Sequence, residues 1–169
     1  MIFIGKYKYK IEDVILSPRE EMTIEFSGYN PFLICTIARN LLRDILKISG
    51  SGIREDDVRW DKSDPNKRWF YGVWRGTIEE DKWTFYWVRI AAEGSYNVKD
   101  RMGSVKIQLR GHMFTKVDFS NPISLSLWKL FNYVFYWKQR RKYLEWEKDI
   151  LNLFKQEILK AYGIYQEKR

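Results

Sequence analysis

The chain of 169 residues has one cysteine and one histidine. A lone Cys35 excludes an intramolecular disulfide framework, and one His with one Cys cannot build a His/Cys zinc site within the chain. Proline and glycine are scarce, four and ten residues, and they fall at the ends of candidate elements. With no linker, repeat or low-complexity tract to divide it, the sequence is expected to form a single α+β domain over residues 1–169. No apolar run approaches the ~18 residues that a transmembrane helix needs. There is no N-x-Ser/Thr sequon, and Met1–Gly5 leads directly into Lys6, Lys8 and Lys10, too short an apolar opening for a secretory signal. A cytoplasmic protein is the expectation, and abundant Lys, Arg, Glu and Ile resembles the composition of thermophile proteins.

Motifs of catalysis and cofactor binding are missing as well. No Walker-type loop, nucleophile elbow or dinucleotide fingerprint occurs. Ser49-Gly50-Ser51-Gly52 is the one glycine-rich stretch, and it follows a candidate helix, whereas phosphate loops precede one. It reads as a helix C-cap. Cys35 sits among Leu33, Ile34 and Ile37, apolar company for an inert thiol. His112 lies on the polar side of a candidate strand and reads as a surface residue. Glu55, Asp56, Asp57, Asp61 and Asp64 lack calcium-loop spacing and are interleaved with Arg54, Arg59 and Lys62, which suits a solvated strand edge. Glu20-Glu21 and Glu25 could supply paired carboxylates, but adjacent strand residues point to opposite faces. No catalytic, metal-binding or cofactor-binding residue is assigned, and the reading leans away from an enzyme.

Aromatic residues and positive charge are what the chain has in excess. Eight Trp, eleven Tyr and ten Phe make up 17% of it. The net charge of +8 equals that of residues 97–142 alone, where ten Lys/Arg face only Asp100 and Asp118. A localised basic stretch points to an anionic partner.

Period-two alternation predicts strands over 6–11, with Tyr7, Tyr9 and Ile11 inward, and over 22–27, with Met22, Ile24 and Phe26 inward. Asn30-Pro31 is a helix-start signal. Ile34, Ala38, Leu41, Ile45 and Ile48 follow on one face of that helix. Val58 and Trp60 predict a third strand. Residues 68–78 and 83–92 form the clearest hairpin. A long strand over 104–119 sets Val105, Ile107, Leu109, Met113, Val117 and Phe119 against Lys106, Gln108, Arg110, His112, Lys116 and Asp118, with Gly111 as the expected bulge.

Asn121-Pro122 repeats the helix-start signal, and no Gly or Pro recurs until Gly163. A helix over 122–162 would span ~60 Å, against about 40 Å for a compact chain of this length. It must break near Lys138–Lys142, overhang into solvent, or pack on a second copy. Ile123, Leu127, Leu130, Val134 and Trp137 follow four-and-three spacing, are interrupted by Arg141, and resume at Leu144, Leu151, Phe154 and Ile158, as in a helix seam with a charged gap.

Strands, a helix, antiparallel strands and a long helix give an α+β order, an antiparallel sheet with both helices packed on one face. This order resembles the helix-grip arrangement of the START/Bet v 1-type lipid-binding superfamily. That resemblance implies a curved sheet wrapping a long C-terminal helix with an apolar ligand held between them. The family's glycine-rich loop between early strands has no counterpart here, and no functional residue carries over.

Three surfaces are candidates for binding. Trp69, Trp74, Trp83 and Trp87 are aromatic candidates on the hairpin, able to stack on single-stranded nucleic acid. Lys106, Arg110 and Lys116 project from one side of the long strand, where alternate positions are ~6.8 Å apart, near the phosphate spacing of a nucleic-acid backbone. Lys138, Arg140, Arg141 and Lys142 follow the aromatic run 127–137 and join the strand cations as a candidate anion or nucleic-acid surface; the same pattern is shared by core helices, oligomer seams and interfacial membrane helices. The expectation is a non-enzymatic binding protein that self-associates through the 122–162 helix or holds an apolar small molecule between sheet and helix. The alternatives are a nucleic-acid-binding protein using the 97–142 surface, and an enzyme whose site the sequence does not reveal.

Overall fold

The computed structural model describes residues 7–164. Lys6 of the first expected strand and the Met1–Gly5 opening lie outside the described residues. The elements run β1 Tyr7–Val14, β2 Met22–Tyr29, α1 Leu33–Leu46, a 3-10 turn Gly50–Gly52, β3 Ile53–Asp61, β4 Lys67–Glu79, β5 Thr84–Asn97 and β6 Met102–Phe119. Then come α2 Pro122–Phe131, a π-helical turn Asn132–Tyr136 and α3 Trp137–Ala161. All pairings are antiparallel, in the order β1-β6-β5-β4-β3, with β2 also on β6. β1 pairs with residues 112–119 of β6 and β2 with residues 102–109. The two short strands therefore lie end to end along one edge of the longest one. The expected antiparallel α+β architecture, with a long C-terminal helix, is what the structure has.

Alternation decides which face of the sheet is covered. Val105, Ile107, Leu109 and Met113 of β6, Tyr86, Val88 and Ile90 of β5, and Phe70 and Trp74 of β4 are buried on one face. α1 brings Ile34, Ala38, Leu42 and Leu46 to them, and α3 brings Leu151, Phe154 and Ile158. The space between sheet and α3 is filled by side chains: Tyr86, Met113, Leu151 and Phe154 are all fully buried. Among the described residues no helix covers the opposite face.

Four local expectations are corrected. Gly111 is no bulge: the β5–β6 register runs through it without a shift, pairing it with Val88. A Cβ there would meet Ile15 Cδ1 at 2.5 Å and Leu151 Cδ1 at 3.1 Å, so the glycine lets β1's end and α3 approach the strand closely. On α1 the inner stripe is Ile34, Ala38, Leu42, Leu46, with Leu41 and Ile45 only half-buried. Asn30 does not cap α1. It has φ 56°, and the hydroxyl of Tyr162 accepts from Ile34 N (3.1 Å) and donates to Pro31 O (2.8 Å) instead. The chain also leaves α1 earlier than the glycines, through Lys47 in the left-handed region, while the Ser-Gly stretch forms the 3-10 turn. The second Asn-Pro signal behaves as expected: Asn121 Oδ1 accepts from Ser124 N at 2.8 Å.

The long helix does not break at Lys138–Lys142. Its irregularity is the π turn at Asn132–Tyr136, and helical dihedrals continue through both junctions.

Candidate functional site

α2 and the π turn present a surface that the other described residues leave uncovered. Trp128 and Tyr136 are their buried residues. Trp128 packs on Tyr9 (4.8 Å between ring centres), Phe119 and Trp83, and Tyr136 meets Trp83 edge-on at 5.3 Å. With that side against the sheet, the stripe of four-and-three spacing points away from it. Ile123 is 72% exposed, Leu127 63%, Leu130 61% and Tyr133 79%, and Val134, Phe135 and Trp137 are exposed beside them. From Phe119 to Leu144 the sequence has Lys129, Lys138, Arg140, Arg141 and Lys142 and no acid. Lys138, Arg141 and Lys142 are exposed, and the Arg141 guanidinium lies over the Trp137 ring.

Arg140 differs from its neighbours. It turns inward, donates from Nε to Thr115 Oγ1 (3.0 Å) and pairs with Asp13. Thr115 and Thr84 hydroxyls lie 2.8 Å apart, Thr84 and Tyr136 hydroxyls 2.6 Å apart, and Tyr136 donates to Asp81 Oδ2 at 2.7 Å. Asp81 also accepts from Tyr143 Oη and, through Oδ1, from the backbone N–H groups of Trp83 and Thr84. Burial pushes the Asp81 carboxyl up, but these hydrogen bonds outweigh it and hold the group below its usual value. This clasp ties the π turn and the start of α3 to the β4–β5 turn and β1, and so fixes which side of α2 faces out. Sequence reasoning missed it, since its members are scattered over the chain; the π turn, a feature often found at functional positions, has no sequence signature. Beneath it Glu147 is 1% exposed, with neither carboxylate oxygen partnered.

The candidate cations do not form one surface. Lys106, Arg110 and Lys116 stand on the helix-free face of the sheet, and Lys138, Arg140, Arg141 and Lys142 belong to α3 on the other. Lys106 lies directly across from Glu25 and Glu93. Arg110 is held by Glu21 at 2.5 Å, and Lys116 lies over the Phe85 and Phe114 rings.

Of the four tryptophans, Trp74 is not a surface residue. It is 2% exposed in the core, because Gly72, two residues back on the same face, has no side chain and its Cα lies under the indole; a Cβ there would fall 2.2 Å from Trp74 Cη2. Trp69, Trp83 and Trp87 are half-buried. Trp83 joins the Trp128–Tyr136 cluster, Trp69 stacks on Tyr71, and Trp87 stacks on His112 at 4.5 Å.

Burial pushes the Cys35 thiol up to about 12, which keeps it protonated. His112 Nδ1 lies 3.1 Å from Glu12 Oε1. Among the described residues, no group of three His, Cys, Asp or Glu is placed to hold a metal ion, and no helix is long and apolar enough to cross a membrane.

No protein-family model matches the chain, and no curated protein matches it. Among solved structures it is similar to a delta-endotoxin at a TM-score of 0.34 and 7% identity, over 67% of this chain and 64% of that one. A Staphylococcus aureus protein of unknown function is similar at a TM-score of 0.29 and 11% identity, over 93% and 94% of the two chains. At these scores neither likeness carries an argument about fold or function.

Proposed function

We propose that this chain is a non-enzymatic binding protein that docks on an anionic lipid surface through the exposed side of α2 and the π turn. The observation that carries the reading is the outward apolar stripe Ile123, Leu127, Leu130, Val134, Trp137, bordered by cations alone. A helix with Leu, Phe and Trp on one side and Lys or Arg around it lies in a bilayer interface, its apolar side in the acyl boundary and its cations among headgroups. Tyr133, Phe135 and Trp137 are the amphipathic rings that favour that depth. Each cation near an anionic surface adds about 1 kcal/mol.

A second copy of the chain is the competing occupant, and the four-and-three spacing suits a helix–helix seam. Charge separates the two. A partner helix of the same sequence would bring four more exposed cations, Lys129, Lys138, Arg141 and Lys142, and no acid to the contact, whereas anionic headgroups neutralise those already there.

The test is sedimentation of the full chain with vesicles made with and without anionic lipid, alongside its mass by light scattering. The chain should sediment with the anionic vesicles and run as a monomer in their absence. Replacing both Leu127 and Leu130 by Glu should weaken vesicle binding at least tenfold while leaving the far-UV spectrum unchanged, because both side chains are exposed. A stable dimer that ignores vesicles and is split by the same double substitution would overturn the lipid reading in favour of self-association.

A further inference from the structure

The helix-free face of the sheet carries a second feature, on the opposite side from α2. The strand registers place Arg75 directly across from Arg89, and Arg89 directly across from Arg110. Arg54 lies across from Arg75 and extends the row. Four arginines therefore cross four adjacent strands in line. Directly opposed side chains on one face have Cβ atoms ~5 Å apart, and like charges so placed destabilise a sheet.

Acids flank the row without reaching its centre. Asp56 holds Arg75 at 2.5 Å, and Glu21 holds Arg110. Among the described residues Arg89 has no such partner, and its Nε, like that of Arg75, is buried without a hydrogen bond. Its same-face neighbours are Trp87 and Ala91 along β5, Val73, Arg75 and Thr77 on β4, and Gln108, Arg110 and His112 on β6. None of the eight is an acid. An unopposed cation between two others, on a face that no helix among the described residues covers, calls for an anion from outside.

We infer that Arg89, with Arg75 and Arg110 on either side, binds a phosphate group. The guanidinium is a planar fork whose donors match phosphate oxygens two at a time, and three forks on adjacent strands can surround one such group. Trp87 and His112, stacked on each other in the next row, with the Arg75 guanidinium over the indole, border the phosphate position. The shared chemistry is the phosphate oxygens, carried either by a small phosphate compound or by a single-stranded nucleic acid. Asp56 and Glu21 anchor the outer two arginines and leave Arg89 as the charge the ligand neutralises.

The test compares the melting temperature of the full chain in inorganic pyrophosphate with that in chloride at equal ionic strength, then titrates a single-stranded oligonucleotide. Pyrophosphate should raise the melting temperature of the wild type. Arg89→Gln should cut pyrophosphate affinity at least tenfold. It should also raise the melting temperature without ligand, because it removes a repelled charge, whereas loss of a merely structural arginine would lower it. Lys160→Gln, on an exposed part of α3, should respond to pyrophosphate as the wild type does. Oligonucleotide binding that also depends on Arg89 and exceeds that of pyrophosphate would assign the phosphate to nucleic acid; binding of pyrophosphate alone assigns it to a small compound. No stabilisation by either probe beyond chloride, or an Arg89→Gln chain that responds as the wild type does, would overturn the site. Neither outcome bears on vesicle binding by α2, which lies on the other side of the sheet.

Discussion

Glu147 is the residue with the largest electrostatic consequence. It faces the core from α3 between buried Leu151 and the clasp, and burial, reinforced by Glu80 and Asp13 against the opposing pull of Arg140, raises its pKa to about 8. In the unfolded chain the same carboxyl titrates near ~4.3. Between those values the native protein holds a proton that the unfolded protein has released. The native state is therefore favoured in full below the unfolded pKa, and the advantage is lost as pH rises toward about 8. Denaturant titrations from pH 5 to pH 8 should show stability falling, by an amount on the order of a few kcal/mol, and Glu147→Gln should flatten that slope. An unaltered slope in the variant would mean that Glu147 ionises elsewhere. Nothing in the sequence marks Glu147, one of many acids on a charged helix. The packed thiol of Cys35 was readable from its apolar neighbours, and so was the strand side of His112, but not that the imidazole is half-buried against Trp87.

At the scale of elements, α1 shows how a local signal can be right about place and wrong about means. Asn30-Pro31 does precede the helix, yet the free amide of Ile34 is satisfied by Tyr162 from the far end of the chain. Replacing Tyr162 by Phe keeps the ring against Phe26 (4.4 Å) and removes only the hydroxyl. It should cost about 1–2 kcal/mol, the penalty of leaving a buried donor unmade, and should speed amide exchange at Ile34 specifically. Equal exchange at Ile34 in variant and wild type would remove Tyr162 from the cap. The long helix carries a second lesson. Ile123 and Ile158 are five heptads apart in one apparent seam. An ideal α-helix drifts ~20° per heptad, about 100° over that length, and the wider π turn adds to the drift in the same sense. The seam's first half thus faces solvent while Leu151, Phe154 and Ile158 face the sheet.

Taken as a whole, the molecule has two chemically different outward faces. One is the apolar α2 stripe with its cations, the other the arginine row on the bare sheet. Proximity in the sequence suggested that the basic residues of 97–142 act together, but the sheet stands between them. If α2 docks on lipid, its two contributions should separate with salt. Raising ionic strength screens the headgroup attraction, so vesicle affinity should fall, and a residual salt-resistant part should vanish in the Leu127/Leu130 double Glu variant. Vesicle binding that ignores salt would show that Lys138, Arg141 and Lys142 contribute nothing.

The antiparallel α+β class, the strand faces and the two helices were already written in the sequence, because alternation and three-to-four spacing are local records of which side of an element meets the core. Which apolar stripe stays uncovered, which cations find acids, and which tryptophan is swallowed were decided only by packing. Those outcomes depend on a glycine under an indole, a clasp of residues from four parts of the chain, and the accumulated rotation of a helix, none of which leaves a trace between neighbouring residues.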